Sequence, residues 1–391
     1  MSIDSTPSSA KQASPLLDFN GYIFEVNKKS LHKTQVALLT IQQTLVDNEV
    51  ILKVDKFALT ANNISYGITG DALGYWRFFP PQSPTRESKS SDSQWGRLPV
   101  MGFATVISSN NGQIQVGEKV WGFMPMATHV KILAGRISNT GFSDISPYRD
   151  GLAPLYAAFE RVKSNPFHSP QNEDYEILVR GLFITSWLVD DFMDDNQYFG
   201  ASQYLITSAS SKTSIALAFA VKKRGKHPSI GMTSSSNKAF VESIGCYDQV
   251  ISYDEITNLN ADIPSILVDM AGGKATLTAI HCHFTEQLCY SCRIGATHHS
   301  DILPANIAKD SGLSGAVPTF FFAPTQLKKR TKDWGSNETM KQIGLSLLDY
   351  IEFCRSVISI EHTTNKNDIN AIYQRILLGK SDASTGQIVS L

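Results

Sequence analysis

Residues 20–60 alternate apolar and polar positions in strand fashion: Tyr22, Ile23, Phe24 and Val26, then Val36–Leu39, then Val50–Val54. Short strands divided by polar residues predict an antiparallel, barrel-like β domain. Residues 80–96 read as an exposed loop by composition. Leu98–Ser109 then reads as a strand entering a turn at Asn110–Gly112, and Gln115–Phe123 as a turn feeding a further strand. From Pro154 the period lengthens, which predicts helices over 154–162 and 186–195. Residues 203–295 alternate strand and helix, the pattern of a parallel sheet covered by helices. Within them, 203–254 reads strand, turn, helix, strand, turn, helix, strand, and further strands follow at Ile266–Met270 and Gln287–Gly295. Met340, Ile343, Leu347 and Ile351 recur at helical spacing along 336–355. The tail from Ile372 reads as a helix, a turn with Gly379 and Gly386, and a closing strand at Gln387–Leu391. The expected class is α/β: a β-barrel domain with a doubly wound parallel-sheet domain.

The chain has 391 residues, long for one core, so two domains are expected. Its 35 basic residues balance 36 acidic ones, which gives no field for nucleic acid or an acidic membrane surface. No run of about 18 apolar residues occurs, so no membrane span is expected. Residues 1–18 are Ser-, Thr- and Pro-rich and are expected to be disordered, without the apolar core of a secretory signal. Five cysteines, spread thinly, suit a reducing cytoplasm.

The stretch 203–254 resembles the first half of a dinucleotide-binding fold, where a diphosphate rests on a helix N-terminus. The first turn holds Ser208, Ser210, Ser211, Lys212 and Thr213 where glycines usually stand. Glycine lets the diphosphate approach; serine narrows that approach but adds hydroxyl donors and caps the helix. A P-loop is excluded, because its two glycines would be Ile206 and Ser211. The second turn, Thr233–Lys238, contains Ser234 and Lys238 and no acid that would bind a ribose 2′-hydroxyl. That favours a 2′-phosphate, hence NADP(H). His298, just past the parallel strand expected at 287–295, is a candidate nicotinamide contact. Cys289 and Cys292 invite a metal reading, but three residues along a strand they face opposite sides. No metal is assigned. Asp190, Asp191, Asp194 and Asp195 read as a solvated helix end.

Four segments together resemble the medium-chain dehydrogenase/reductase superfamily, nearest its zinc-free quinone and enoyl reductase branch, as an uncharacterised subfamily. They are ALTANNISYGITGD (58–71), MGFATVISSNNGQIQVGEKVWGF (101–123), the stretch 204–253, and GKSDASTGQIVSL (379–391). The resemblance implies a GroES-like domain over 19–180 and 326–391, interrupted by a Rossmann-type domain over 181–325. It implies that Tyr253 joins Ser234 and Lys238 around the 2′-phosphate. It also implies Tyr66 as proton donor, with Asn63 orienting a carbonyl, in a segment expected as strand and loop. The superfamily's zinc ligands are missing at 62–66 and after Met101. The implied activity is NADPH-dependent, zinc-independent hydride transfer to an activated alkene or quinone, a small apolar or conjugated carbonyl compound. The implied assembly is a homodimer. The alternative is a catalytically silent NADP(H)-binding sensor or interaction protein on the same fold.

Overall fold

The computed structural model describes residues 18–81, 93–270, 273–294 and 313–391. Residues 1–17 and the candidate His298 lie outside the described residues. The chain opens with an antiparallel hairpin, β1 (Phe19–Asn27) and β2 (Ser30–Ile41). Next come β3 (Glu49–Leu59), the short helix α1 (Ala61–Ile68) and β4 (Trp95–Gly96), which pairs with β1. β5 (Pro99–Ser109), β6 (Lys119–Pro125), β7 (His129–Gly135), β8 (Gly141–Asp144) and β9 (Ala158–Arg161) complete this region. Strands β3, β5, β6, β9, β8 and β7 are neighbours in that order, and β7 returns to β3 to close a barrel. Every second residue of β7 is buried (Val130, Ile132, Ala134), so its alternation packs one face inward. Gly102 is glycine for a steric reason: a Cβ there would lie 2.3 Å from the Lys56 carbonyl oxygen across the ladder.

The helix expected over 154–162 does not form. Pro154–Ala157 make one 3₁₀ turn and 158–161 are strand β9. Phe159 and Arg161 turn inward while Ala158 and Glu160 do not, a period of two. Pairing with β6 and β8, both remote in sequence, overrides local helix propensity here.

Helix α2 (Glu173–Asp195) leads out of the barrel, with Glu173, Asp174 and Glu176 in its first turn favouring the positive end of the helix dipole. Beyond it lie β10 (Gln203–Ile206), α3 (Lys212–Arg224), β11 (Ser229–Thr233), α4 (Lys238–Ile244) and β12 (Gln249–Ser252). Then come β13 (Ser265–Asp269), α5 (Lys274–Phe284), β14 (Leu288–Arg293) and β15 (Pro318–Phe320). These six strands form one parallel sheet in the order β12-β11-β10-β13-β14-β15. The order reverses direction at β10, the topological switch point of a doubly wound sheet. Gly225 ends α3 in the left-handed conformation, at φ 67°.

Helices α6 (Ala323–Trp334) and α7 (Ser336–Val357) follow, the latter packing Leu347, Tyr350, Ile351 and Cys354 into the core that covers β10 and α3. The chain ends with β16 (Ser359–Thr363), α8 (Ile369–Leu377) and β17 (Thr385–Val389), and β17 pairs antiparallel with β3 at the barrel. Asp190 and Asp191 depart from the solvated helix end expected for them: they are 2% and 3% exposed. Asp190 Oδ2 accepts from Arg224 Nε at 2.7 Å, and Asp191 Oδ2 accepts from Arg330 Nε and Gln326 Nε2, each at 2.7 Å. Their partners come from α3 and α6, which the local sequence does not reveal. Desolvation pushes the Asp190 carboxyl up to about 6 despite Arg224. Among the described residues, no helix is long and apolar enough to cross a membrane.

Candidate functional site

Strand β10 is buried along its whole length and delivers residues 207–211 to the carboxyl edge of the sheet. There Ser208 takes up a left-handed backbone, φ 51°, where glycine is usual. Ser211 caps α3: its Oγ accepts from Ser214 N at 3.2 Å and donates to Ser214 Oγ at 2.9 Å. Lys212 and Thr213 begin the helix, so their amides have no intrahelical partner and point from its positive end. The Ser208 amide instead donates to the Tyr253 hydroxyl at 3.0 Å. Tyr253 therefore meets the first turn. Ser210 Oγ accepts from Asn237 Nδ2 at 3.1 Å, which ties the first turn to the second.

Lys212 is the first correction at this site. Its Nζ donates to the carbonyls of Thr385 at 2.8 Å and Ala383 at 3.3 Å. The ammonium thus latches the C-terminal segment to the base of α3 and does not face the crevice. Burial draws its pKa down to about 8. At the second turn, Ser234 Oγ lies 3.0 Å from Ser236 Oγ, and Lys238 Nζ is 2.7 Å from Glu255 Oε2. The turn itself has no acid, but folding brings two to it, because Asp254 Oδ1 also accepts from Ser235 Oγ at 3.3 Å. Glu255 is held down to about 2 by Lys238 and by the amide and hydroxyl of Ser252.

One cavity of about 1180 Å³ runs from the first turn, at residues 208–213, to the barrel. Ser208, Ser211 and Thr213 line one part of it, and Asn62, Tyr66, Phe123 and Tyr156 another. Helix α2 forms a wall through Arg180, Gly181, Ile184, Thr185 and Leu188, which recur at helical spacing on one face. The segment expected as strand and loop contains α1, and this fixes which asparagine reaches the cavity. Asn63 does not: its Oδ1 accepts from Thr60 N at 2.7 Å as an N-terminal cap, and its Nδ2 donates to Pro99 O at 3.0 Å. At 3% exposed and outside the cavity lining, Asn63 is not placed to orient a carbonyl there. Asn62 does line the cavity, and its Nδ2 donates to the Tyr66 hydroxyl at 2.7 Å. The oxygen of Tyr66 is thus an acceptor for Asn62, which leaves its proton for a group in the cavity. Burial pushes the Tyr66 phenol well above its ordinary value, and its ring centroid lies 4.3 Å from that of Tyr75, tilted by 31°.

Arg180 is a wall residue that the sequence did not single out. Its guanidinium lies 4.0 Å from the Trp121 ring centroid, donates to Glu176 Oε1 at 2.9 Å and pairs with Glu160. Trp121 and Glu160 face each other across β6 and β9. A period of two in 158–161 would have put Glu160 on one face of a strand, but only the pairing with β6 sets it beside Trp121. Cys292 is wholly buried and Cys289 only partly, on alternate sides of β14. His281 bonds Ser314 O at 2.8 Å and Ser291 Oγ at 3.0 Å, a core role. Among the described residues, no three His, Cys, Asp or Glu side chains converge in a metal-binding arrangement.

The profile of a family described as "Protein of unknown function (DUF2855)" matches residues 57–382. Curated protein sequences give no match. Solved structures do. The yhdH oxidoreductase from Salmonella enterica, in complex with NADP, is 12% identical with a TM-score of 0.55, covering 95% of this chain and 100% of its own. A putative NADPH:quinone reductase from Mesorhizobium loti is 10% identical with a TM-score of 0.59, covering 95% and 98%. A mutant form of enoyl thioester reductase from Candida tropicalis is 13% identical with a TM-score of 0.53, covering 96% and 100%. These likenesses establish the fold: the barrel and parallel sheet are those of the medium-chain dehydrogenases and reductases.

Proposed function

The chain belongs to the DUF2855 family, and we propose that it is a zinc-independent, NADPH-dependent reductase that passes a hydride to an activated alkene or quinone. The single observation carrying this reading is the continuous cavity that joins the N-terminus of α3 to the Tyr66 hydroxyl. The residues suit a dinucleotide: the amides of Lys212 and Thr213, which have no intrahelical partner, the hydroxyl of Ser208, and Lys238 in the second turn. The structural neighbours that are solved with NADP, or named for NADPH, support that choice. Bound there, the reduced nicotinamide supplies the hydride.

The chain's own residues do the rest. Tyr66 donates a hydrogen bond to the carbonyl oxygen of the acceptor, where negative charge builds as the hydride arrives. Asn62 holds the phenol in that direction. Trp121, Phe123 and Tyr156 keep water from the reacting atoms. Among the described residues, the cavity wall at Asn62, Ser65, Tyr66, Glu160 and Arg180 offers hydroxyl, amide, guanidinium and a single carboxylate, with no thiol or imidazole, which supports zinc independence. The test is loss of dihydronicotinamide absorbance with an enone or quinone, and its disappearance in Tyr66→Phe.

A second reading, an NADP(H)-binding sensor without chemistry, is favoured by the Tyr253 hydroxyl on the Ser208 amide and by Glu255 on Lys238. It predicts NADPH binding by fluorescence with every hydride-transfer assay silent.

A further inference from the structure

We infer that the hydride acceptor carries a hydrocarbon chain, and that this chain lies in a separate apolar lobe at the end of β15. The inference rests on the reductase reading above. Val317, Phe320, Phe322 and Met340 are 53%, 58%, 43% and 41% exposed. Large apolar side chains grouped and left open to water mark a place where something else lies. All four line the same cavity as Tyr66, together with Leu327 and Ile343. Whatever covers them is therefore continuous with the reacting end.

Strand order shows that the cofactor does not claim this lobe. Along the carboxyl edge the sheet runs β11, β10, β13, β14, β15. Ser234 follows β11, and Ser208–Ser211 follow β10. A dinucleotide laid from one to the other reaches β13 and β14, at Met270 and Ile294, with its nicotinamide. Phe320 ends β15, one strand further on the side away from the adenosine. The cavity is also large for one ligand: about 1180 Å³, against roughly 300–1,000 Å³ for a typical site. The only polar side chain between Val317 and Phe322 is Thr319, whose hydroxyl is bonded to the Val317 carbonyl. Among the described residues the lobe thus offers mainly apolar contact area, and the charged side chain beside it, Arg293 opposite Phe320, is paired with Asp269, which selects a saturated chain over an ionic or sugar-bearing group.

The experiment is a series of 2-alkenones of increasing chain length, assayed with NADPH for the full-length protein. Burial of a methylene is worth about 0.8 kcal/mol, or fourfold, when complete. For a half-open lobe kcat/KM should rise about twofold per added carbon before levelling off. In Phe320→Ser and Met340→Ser the rise per carbon should fall towards one. The gradient is a ratio within each protein, so a lower folded fraction does not change it. A flat gradient in the wild type, with measurable turnover of the shortest alkenone, overturns the lobe and leaves the reductase reading standing. An unchanged gradient in both variants overturns it as well. Silence with every alkenone, the shortest included, removes the reductase reading and the lobe with it.

Discussion

Replacing Tyr66 by Phe removes one oxygen and leaves the ring to pack. The ring is 8% exposed and keeps its contacts with Tyr75 and Phe123. The hydroxyl makes one protein hydrogen bond, from Asn62 Nδ2 at 2.7 Å. Its loss costs about 1 kcal/mol of stability, because Asn62 is only half-buried and regains water. The effect on rate is larger. A donor aimed at an oxygen that becomes negative in the transition state is worth roughly 10²–10³ in kcat. We expect kcat to fall about 100-fold with an enone, and the Kd for NADPH to stay where it was. Stopped-flow decay of NADPH absorbance measures the first, and a fluorescence titration the second. Burial holds the phenol protonated well beyond its ordinary range, so Tyr66 ionisation should contribute no alkaline loss of rate below about pH 10. A variant within threefold of wild-type kcat refutes the role. So does a fall in kcat matched by lost NADPH binding, since the hydroxyl would then be supporting the site and not the reaction.

Glu255→Gln should tighten NADPH roughly threefold and leave NADH unchanged, since the half-buried Lys238–Glu255 pair is still partly screened by solvent; equilibrium titration with both nucleotides checks it. Lys212 has a folded pKa of about 8 against 10.5 unfolded, so the unfolded chain binds the extra proton between those values and stability rises with pH across that window. The difference in unfolding free energy between wild type and Lys212→Met should grow by up to about 3 kcal/mol from pH 8 to 10.5, read from urea melts. Arg330→Ala leaves the buried Asp191 carboxylate with Gln326 alone and should cost about 3 kcal/mol in the same melts.

The fold was legible where side chains report a period that the backbone must obey. The alternation of 203–254 gives β10, α3, β11, α4 and β12 in order, and the period of Met340, Ile343, Leu347 and Ile351 gives α7. Legibility failed where partners lie far off in sequence. β9 is four residues long and exists because β6 and β8 flank it. Glu255 is seventeen positions from Lys238 and meets it only when β11 and β12 pair. Asn62 and Asn63 differ by one position, yet on a helix they point about 100° apart. Read as a loop, that segment has no phase, so nothing in it assigns one asparagine to the cavity and the other to the cap.

The glycine-poor turn shows how geometry survives a change of residue type. Ser208 holds the left-handed backbone at φ 51°, at a cost of about 1–2 kcal/mol for a residue with a Cβ. Three interactions oppose that cost: the Ser208 amide on Tyr253, Ser211 capping α3, and Ser214 Oγ donating to Thr207 O at 2.8 Å. Each hydrogen bond contributes about 1 kcal/mol, so serines can hold the shape that glycine adopts without strain. What they cannot supply is the missing space. The turn therefore keeps the direction of the helix amides and gives up some width. A diphosphate that enters has to displace Tyr253 from the Ser208 amide or share it. On the reductase reading proposed above, that exchange, more than the absence of glycine, would set how tightly this chain holds a nucleotide.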